Sequence, residues 1–320
     1  MKRYNAWKAA GLFAVAILLS GVSGVQAATK AQAGYQWLEI GDVQVVALSD
    51  GTIPVDTKLL HAAPERIDRL LAASRAVPPL AASVNAFLVV AGDRLVLVDA
   101  GAGKAMGPGL GKLTASLAGA GYAPGQITDV LLTHIHGDHS AGLTIDGKAV
   151  FPKAVVHVNR QEAEYWLNPA NKDKALSQHR MMFDLAKTSL APYVDSGRVQ
   201  SFDGRMEIVP GITTQPSPGH TPGHSFYLLE SNGKKLLFWG DIIHRAEVQF
   251  PEPDVTIDYD IDPKAAAAQR KQAMAQAADA DIVVAAAHIA FPGVGRVARD
   301  GAGYRWLPVP YVNDAPVAGQ

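Results

Sequence analysis

Four residues with metal-binding side chains lie within one six-residue segment of the sequence: His134, His136, Asp138 and His139. Imidazole nitrogens and carboxylate oxygens are ligands typical of zinc, and a site built from them needs no thiol. Because side chains alternate along an extended segment, His134 and His136 point to the same side and can bind one ion. Asp138 and His139 then turn towards a second ion beside it. The alternative, four polar residues that merely share a loop, leaves this density of ligands unexplained.

Three further residues of the same types follow later in the chain: His220, Asp241 and His288. His220 lies in a segment (residues 217–224) whose prolines and glycines fix a tight loop, which places a side chain rigidly. Asp241 and His288 each follow an apolar run, as does His134, and sites in α/β proteins commonly form at the carboxyl ends of strands. A buried carboxylate at such a position is costly unless it is paired. The positions at strand ends therefore predict that His134, Asp241 and His288 share one site.

Alternating apolar and turn-rich segments predict the elements that position these residues. We expect a strand over 35–49 that ends in a turn at Asp50-Gly51, and mainly helical structure over 160–195 with Asn159 as its cap. Further strands are predicted at 85–90, 94–98, 127–132, 154–158, 207–214, 225–230, 235–239 and 282–287, and further helices at 65–74, 112–120 and 263–278. Strands that alternate with helices indicate a layered α/β fold.

Composition limits the function classes. The chain has 320 residues, 48% of them hydrophobic, which is sufficient for a large core. A net charge of −1 without a basic stripe gives no electrostatic basis for binding nucleic acid. The absence of cysteine excludes disulfides and thiolate metal ligands. We expect a small hydrophobic substrate as the partner, and a homodimer is left open.

The first 27 residues have the pattern of a secretory signal peptide. Three basic residues precede the apolar run 9–19, and small residues lead to an A-x-A-like site ending at Ala27. The alternative is a membrane anchor, but the apolar run is short for a span. We therefore predict export to the periplasm or the medium, no stable membrane insertion after cleavage, and one domain over residues 28–320.

The segment His134–His139 (HIHGDH) resembles the HxHxDH signature of the metallo-β-lactamase-fold hydrolases. The segment 287–295 (AHIAFPGVG) is similar to the branch that contains methyl parathion hydrolase and the quorum-quenching lactonases. This resemblance implies an αββα sandwich, that is, two mixed β-sheets flanked by helices. It also implies a helical lid over residues 160–195, in which Trp166 and Phe183 are candidates for lining an apolar substrate pocket. Ordinary helix packing is the alternative for both.

The resemblance also implies a ligand set for two divalent ions. The first ion would be held by His134, His136 and His220, and the second by Asp138, His139 and His288, with Asp241 between them. Zinc is the default, while imidazole and carboxylate also suit iron, manganese or cobalt. Two such ions would share a water and lower its pKa, which gives a metal-bridging hydroxide. Asp138 is the candidate for moving a proton to the leaving group, so Asp138 and Asp241 are the predicted catalytic carboxylates.

Several neighbouring polar residues are assigned less firmly. Asp99, after the strand 94–98, either orients a ligand histidine or is only a turn residue. His224 is expected to hydrogen-bond inside its own loop, and His244 is a candidate supporting residue near Asp241. The other histidines have no motif partner: His61, His157 and His179.

The predicted function is that of an exported dinuclear-metal hydrolase acting on an uncharged ester-like substrate. A lactone or aryl ester is favoured as the native substrate, with organophosphate triesters as a side or evolved activity. One alternative is a class B-type β-lactamase, but members that use a cysteine ligand are excluded by composition, and Asp241 stands where they generally lack a carboxylate. The other alternative is a non-catalytic protein that uses metal for stability, although structural zinc sites are usually closed and often contain cysteine.

Overall fold

The protein is described from a computed structural model that covers residues 32–313. The predicted signal peptide, residues 1–27, lies outside the described residues. The strands are β1 (Tyr35–Ile40), β2 (Val43–Val55), β3 (Leu80–Ala91), β4 (Arg94–Val98), β5 (Asp129–Leu131), β6 (Thr144–Ile145), β7 (Lys148–Ala149), β8 (Val155–Asn159), β9 (Val199–Phe202), β10 (Glu207–Val209), β11 (Ile212–Pro216), β12 (Ser225–Ser231), β13 (Lys234–Phe238), β14 (Val283–Ala285), β15 (Val294–Asp300) and β16 (Gly303–Pro308). The helices are α1 (Pro64–Ala73), α2 (Leu113–Gly119), α3 (Gly137–Ser140), α4 (Arg160–Trp166), α5 (Pro169–Lys174), α6 (Arg180–Asp195), α7 (Ala246–Gln249) and α8 (Pro263–Asp279).

The strands form two large mixed sheets and one small hairpin, β6–β7. One seven-stranded sheet has the order β1-β2-β3-β4-β5-β8-β9, and the other has the order β10-β11-β12-β13-β14-β15-β16. Side chains from both sheets, among them Phe87 and Phe238, pack in one buried cluster between the sheets. Outer clusters pack α2, α4 and α6 against the first sheet and α8 against the second. The predicted sandwich of two mixed sheets flanked by helices is confirmed.

Both sheets repeat one connection that places polar residues at strand ends. In the first sheet β4 leads through α2 to the parallel strand β5, and in the second sheet β13 leads through α8 to the parallel strand β14. Parallel neighbours present their carboxyl ends at the same edge of a sheet. Asp99 and His134 therefore follow β4 and β5, while Asp241 and His288 follow β13 and β14.

The predicted strand over 35–49 is instead a hairpin, β1 and β2, and β2 continues to Val55. Asp50-Gly51, predicted to be a turn, forms a β-bulge within β2, where the register shifts between Ser49 and Gly51. Asp50 is fully buried, and its carboxylate accepts the backbone N–H groups of three residues, Ala102, Gly111 and Leu113. An Asp-Gly pair is compatible with a turn and with a bulge, and the hydrogen bonds from these distant donors stabilise the bulge.

The helical region predicted over 160–195 consists of three helices, α4, α5 and α6. Asn159 caps α4 as predicted, since its side chain accepts the N–H of Gln161. Asn168 caps α5 in the same way and so separates the two short helices. Within residues 32–313 no helix has both the length and the apolar character that crossing a membrane requires.

We predict that Phe87→Ala lowers the free energy of unfolding by about 3–5 kcal/mol, because it leaves a cavity between the sheets. The Phe87 ring lies 5.5 Å from that of Phe238 and is 3% exposed. Denaturant unfolding of the purified protein measures the change. Val77→Ala is the control, since Val77 is 79% exposed, and its effect should stay within about 0.5 kcal/mol. Equal stability of the two variants would contradict a core at this position.

Candidate metal centre

Two groups of ligand atoms meet at the carboxyl ends of the strands, and in each group the atoms lie within 4.8 Å of one another. The first group contains His134, His136, His220 and Asp241. His136 Nδ1 lies 3.0 Å from His220 Nε2, and Asp241 Oδ2 lies 3.3 Å from His220 Nε2. The first group thus joins the loop after β5, the loop between β11 and β12, and the end of β13.

The second group contains Asp138, His139, Asp241 and His288. Asp241 lies 3.1 Å from the Nε2 atoms of both His139 and His288, and Asp138 Oδ2 lies 3.3 Å from His288 Nε2. Asp138 and His139 belong to α3, a single helical turn that begins directly after His136. This turn rotates Asp138 and His139 away from His134 and His136, so that the two pairs belong to different ligand groups. Asp241 is shared by both groups, as predicted for a carboxylate between two ions.

Unpartnered polar atoms at the centre of the site fit divalent cations. His134 Nε2 is buried and has no hydrogen-bond partner among the described residues. His139 Nε2 and Asp241 Oδ1 are also buried and lie 3.1 Å apart, but they do not have the geometry of a hydrogen bond. Buried polar atoms are normally satisfied, and unsatisfied ones are costly. Here they face one another, and each has a lone pair that a zinc-type ion would accept. The donor set of neutral imidazoles and carboxylates therefore fits two such ions, whose identity stays a prediction.

Contacts outside the site orient three of the ligand histidines. Asp99 Oδ2 lies 2.8 Å from His139 Nδ1, and Asp260 Oδ1 lies 3.0 Å from His220 Nδ1. His288 Nδ1 lies 2.9 Å from the carbonyl oxygen of Ser83. In each case the Nδ1–H donates outwards, which directs Nε2 into the site and fixes the tautomer. Asp99 thus contacts a ligand histidine, one of the two roles considered for it, whereas the sequence gave no signal for Asp260 because it lies 40 residues from His220.

Burial and neighbouring charges shift the pKa values of the site in opposite directions. Burial lowers the pKa of His134 and of His136 well below the usual value, so both are neutral and ready to act as ligands. Burial alone would also lower the pKa of His220 and His288. Contacts with Asp241 and Asp260 nevertheless raise that of His220 to about 9, and Asp241 and Asp138 raise that of His288 to about 10.

The shared carboxylate is ionised despite its burial. Burial alone would raise the pKa of Asp241, but the imidazoles of His139, His288 and His134 hold it well below its usual value. The same opposition applies to Asp138, whose pKa is lowered by His139 and His288. Protons on His220 and His288 therefore compensate the negative charge of Asp241 and Asp138. Bound cations would compensate that charge in their place.

A cavity of about 280 Å³ opens above both groups of ligands. Its floor includes His136, Asp138, Asp241 and His288. Its walls are mostly apolar and are formed by Ile53, Val55, Leu59, Ala82, Met106, Met181 and Met182, with polar groups from Gln178, His179, His244, Asp258 and Tyr259. The cavity therefore suits an uncharged molecule with an apolar part.

Trp166 and Phe183 do not line this cavity. Trp166 is 1% exposed, its Nε1 donates to Glu162, and its ring packs against His136 at 5.0 Å between centroids. Phe183 packs on Trp166 at 4.6 Å. Both residues thus support the ligand loop from behind, and the residues of this lid that reach the cavity are Met181, Met182 and the turn before them. Helical periodicity alone did not distinguish these two faces.

The remaining histidines divide into site neighbours and distant residues. His244 Nε2 lies 3.2 Å from Asp241 Oδ2, so His244 is a supporting neighbour of the shared carboxylate as considered. His224 hydrogen-bonds inside its own loop as predicted, through its backbone, to Ser217 and Thr221. Its Nε2 also accepts the backbone N–H of Asp241, which lies outside that loop. His179 lines the cavity, whereas His157 pairs with Asp129 and His61 with Asp258.

Comparisons with known proteins identify a family and solved structures that are similar to this chain. A family profile described as the metallo-beta-lactamase superfamily matches residues 80–288. A solved structure described as hydrolase AbOPH in the beta lactamase superfamily is 36% identical, with a TM-score of 0.85, and the match covers 89% of this chain and 100% of that chain. AidC, a dizinc quorum-quenching lactonase solved with the product N-hexanoyl-L-homoserine, is 26% identical with a TM-score of 0.80, and covers 88% of this chain and 99% of that chain.

Curated relatives match over a shorter stretch. The N-acyl homoserine lactonase AiiA of Bacillus thuringiensis subsp. kurstaki is 29% identical over 119 residues. This match covers 37% of the present chain and 39% of that protein, so it spans well under half of the relative's length.

We predict that zinc binding to the ion-free protein at pH 7 releases protons. His220 and His288, with pKa values of about 9 and about 10, hold protons at pH 7 that a bound cation must displace. Apparent zinc affinity should therefore rise as the pH rises towards 9 and fall as the pH is lowered. Calorimetry in buffers of different ionisation enthalpy measures the release.

His61→Gln is the control for proton release, because His61 lies outside both ligand groups and is partly exposed. It should leave the proton release unchanged. Zinc binding with no net proton release at pH 7 would contradict the assigned protonation of His220 and His288.

Proposed function

This chain belongs to the metallo-β-lactamase superfamily, and on that premise we propose that it is a two-metal hydrolase that opens lactones carrying an apolar substituent. The prediction of a metal-dependent hydrolase from the segment 134–139 is confirmed at the level of the family. The substrate class, the identity of the ions and the roles of individual residues are parts of the proposal.

The single observation that carries the proposal is the position of the cavity. Its floor consists of residues from both ligand groups, while its walls are mostly apolar. A substrate whose ester carbonyl rests on the floor can place an apolar chain along the walls, where burial of apolar surface contributes roughly 25 cal/mol per Å². A charged substrate would lose its hydration against these walls without compensation.

Two bound divalent ions would supply a polarised acyl oxygen and a water of lowered pKa at the floor. The chain's own residues hold the ligand set in place at the floor of the cavity, and α4 and α6 support the ligand loop from behind. Asp138 is on the cavity floor and is ionised, so its carboxylate can accept a proton and pass it to the leaving oxygen. Asp241 stays ionised between the two ligand groups throughout.

The relatives support a lactone as the first candidate. AidC is described as a lactonase and was solved with an acylated homoserine product, and the present chain matches nearly all of it. The curated relatives are N-acyl homoserine lactonases, although their match is partial. N-acyl homoserine lactones are uncharged and carry an apolar chain, which is the chemistry that the cavity favours. Aryl esters and organophosphate triesters share this chemistry and are the next candidates.

Export to the periplasm or the medium is also part of the proposal and is supported by the pattern of residues 1–27. A β-lactamase is disfavoured as the alternative, since the chain has no cysteine and carries Asp241 between the ligand groups. A structural metal role is disfavoured because the ligands lie at the floor of an open cavity rather than in a closed site.

We predict that the metal-assayed protein hydrolyses N-acyl homoserine lactones and an aromatic lactone faster than methyl parathion, and nitrocefin slowest. The mostly apolar walls favour uncharged substrates over nitrocefin, which carries a carboxylate, and the lactonase relatives favour lactones over the phosphotriester. Steady-state values of kcat/KM for the four substrates measure the order. Asp241→Ala should lose both metal content and activity, because it removes the carboxylate that both groups share. Nitrocefin turnover that exceeds lactone turnover would reverse the proposal, and metal-replete protein inactive on all four substrates would favour a structural role.

We predict that Ile53→Asn lowers kcat/KM more for a long-chain lactone than for a short-chain one, by roughly 10-fold, because it adds a polar group to an apolar wall. Metal content should stay at the wild-type level, since Ile53 lies outside both ligand groups. Kinetics on lactones of increasing acyl length measure the effect. Val77→Asn, on the exposed surface, is the control. An equal loss for all chain lengths would place the acyl chain elsewhere.

A further inference from the structure

One buried carboxylate close to the metal centre belongs to neither ligand group. Glu162 lies in the first turn of α4 and is fully buried. Its Oε1 accepts the backbone N–H of Ile135 at 3.0 Å and the indole N–H of Trp166 at 2.7 Å. Its Oε2 accepts the hydroxyl of Thr221 at 2.7 Å and the backbone N–H of Gly223 at 2.8 Å. Four donors therefore converge on one side chain, and they oppose the rise in the pKa of Glu162 that its burial causes.

The donors belong to two loops that supply ligands to the same group. Ile135 lies between His134 and His136, in the loop after β5 of the first sheet. Thr221 and Gly223 follow His220, in the loop between β11 and β12 of the second sheet. Glu162 thus joins two chain segments that approach the site from opposite sheets.

The backbone of α4 also lies close to the backbone of the loop between β11 and β12. A Cβ atom at Gly223 would overlap the backbone of Glu162, so only glycine permits this approach. Trp166, one turn along α4, packs on the His136 ring while its indole N–H is held by Glu162. The position of α4 is therefore coupled to both sides of the first ligand group.

The second ligand group is positioned by other contacts. His139 is held by Asp99 and His288 by the carbonyl oxygen of Ser83. Asp138 follows His136 within the turn α3, and Glu162 makes no hydrogen bond to any of these three ligands among the described residues. A change at Glu162 should consequently affect the two groups unequally.

We propose that Glu162 is a positioning residue that fixes the distance between His220 and the pair His134/His136, and so sets the affinity of the first metal site. This inference rests on the two-ion site of the proposed function, but it does not depend on which substrate is hydrolysed.

Glu162→Gln is the most direct test. A glutamine has one acceptor oxygen and one NH₂ group, so it cannot accept hydrogen bonds on both sides. If its oxygen faces Ile135 and Trp166, its NH₂ faces the N–H of Gly223, and the loop that carries His220 loses its acceptor. The opposite orientation places the same conflict at the loop that carries His134 and His136. Loss of a supporting contact to metal ligands typically costs roughly 10–100-fold in affinity.

The experiment is a zinc titration of the ion-free full chain, combined with anomalous diffraction from zinc-soaked crystals. For the wild type we expect two ions. For Glu162→Gln we expect one binding step weakened roughly 10-fold or more, the other step within about twofold of the wild type, and a reduced anomalous peak between His134, His136 and His220.

Asp50→Asn is the matched control. Asp50 is also a fully buried carboxylate that accepts several backbone N–H groups, but it contacts no ligand loop through its side chain. It should lower the thermal stability while leaving both zinc affinities unchanged. If Asp50→Asn weakens one zinc step selectively as well, Glu162 acts only through general stability and the inference fails.

Thr221→Val covers the case in which Glu162→Gln does not fold. It removes one hydrogen bond to the His220 loop and keeps the charge of Glu162, so a smaller weakening of the same zinc step is expected. Two wild-type-like zinc steps in Glu162→Gln, or in Thr221→Val where the first variant is unfolded, would overturn the inference and leave the proposed function standing. A wild type that binds no zinc would instead overturn the two-ion site itself.

Discussion

The structure depends on one buried carboxylate, Asp241, whose charge has to be balanced inside the protein. The imidazoles of His139, His220 and His288, at 3.1–3.3 Å, provide that balance because their pKa values are raised. His134 and His244 also lie beside the carboxylate, at 3.7 and 3.2 Å, but burial lowers their pKa values. An unpaired carboxylate in this position would cost several kcal/mol. The histidines come from four separate chain segments, and those segments meet only when the two sheets pack face to face. The metal centre and the sandwich are thus consequences of the same packing.

Hydrogen bonds from residues around the ligands fix the orientation of the ligand side chains. Asp99, Asp260 and the carbonyl oxygen of Ser83 each hold one histidine by its outer nitrogen, and Glu162 joins the two loops of the first group. These groups are buried, and each makes at least one hydrogen bond to a ligand or to the loop that carries one. These contacts hold the ligand side chains in the orientations that cation binding needs, which reduces the reorganisation that binding requires.

Local patterns in the sequence predicted the family, the layered fold and the position of every ligand candidate. The reason is that HIHGDH is contiguous and that Asp241 and His288 follow apolar strands. All seven predicted ligands meet in the structure, and their binding of metal stays a prediction. Contacts between residues far apart in the sequence could not be predicted in this way. Asp260 lies 40 positions from His220, and Glu162 lies 27 and 59 positions from Ile135 and Thr221, and nothing in their own neighbourhoods marks them.

The same limit explains two of the differences between the predictions and the structure. Asp50-Gly51 is locally a turn signal, and only the three distant N–H groups on Asp50 make it a bulge. Trp166 and Phe183 have the size and polarity of pocket residues, but the orientation of α4 and α6 turns them towards the ligand loop. In both cases tertiary packing selected between two outcomes that the local sequence permits.

The apolar cavity walls come from β2 and from the segment around Met181 and Met182, whereas most ligands sit on loops at strand ends. Reactivity and molecular recognition are therefore encoded in largely separate stretches of the gene. Variation confined to the wall-forming stretches can change the shape of the cavity while the ligand set stays intact. This separation makes the protein a suitable starting point for laboratory evolution of its cavity walls.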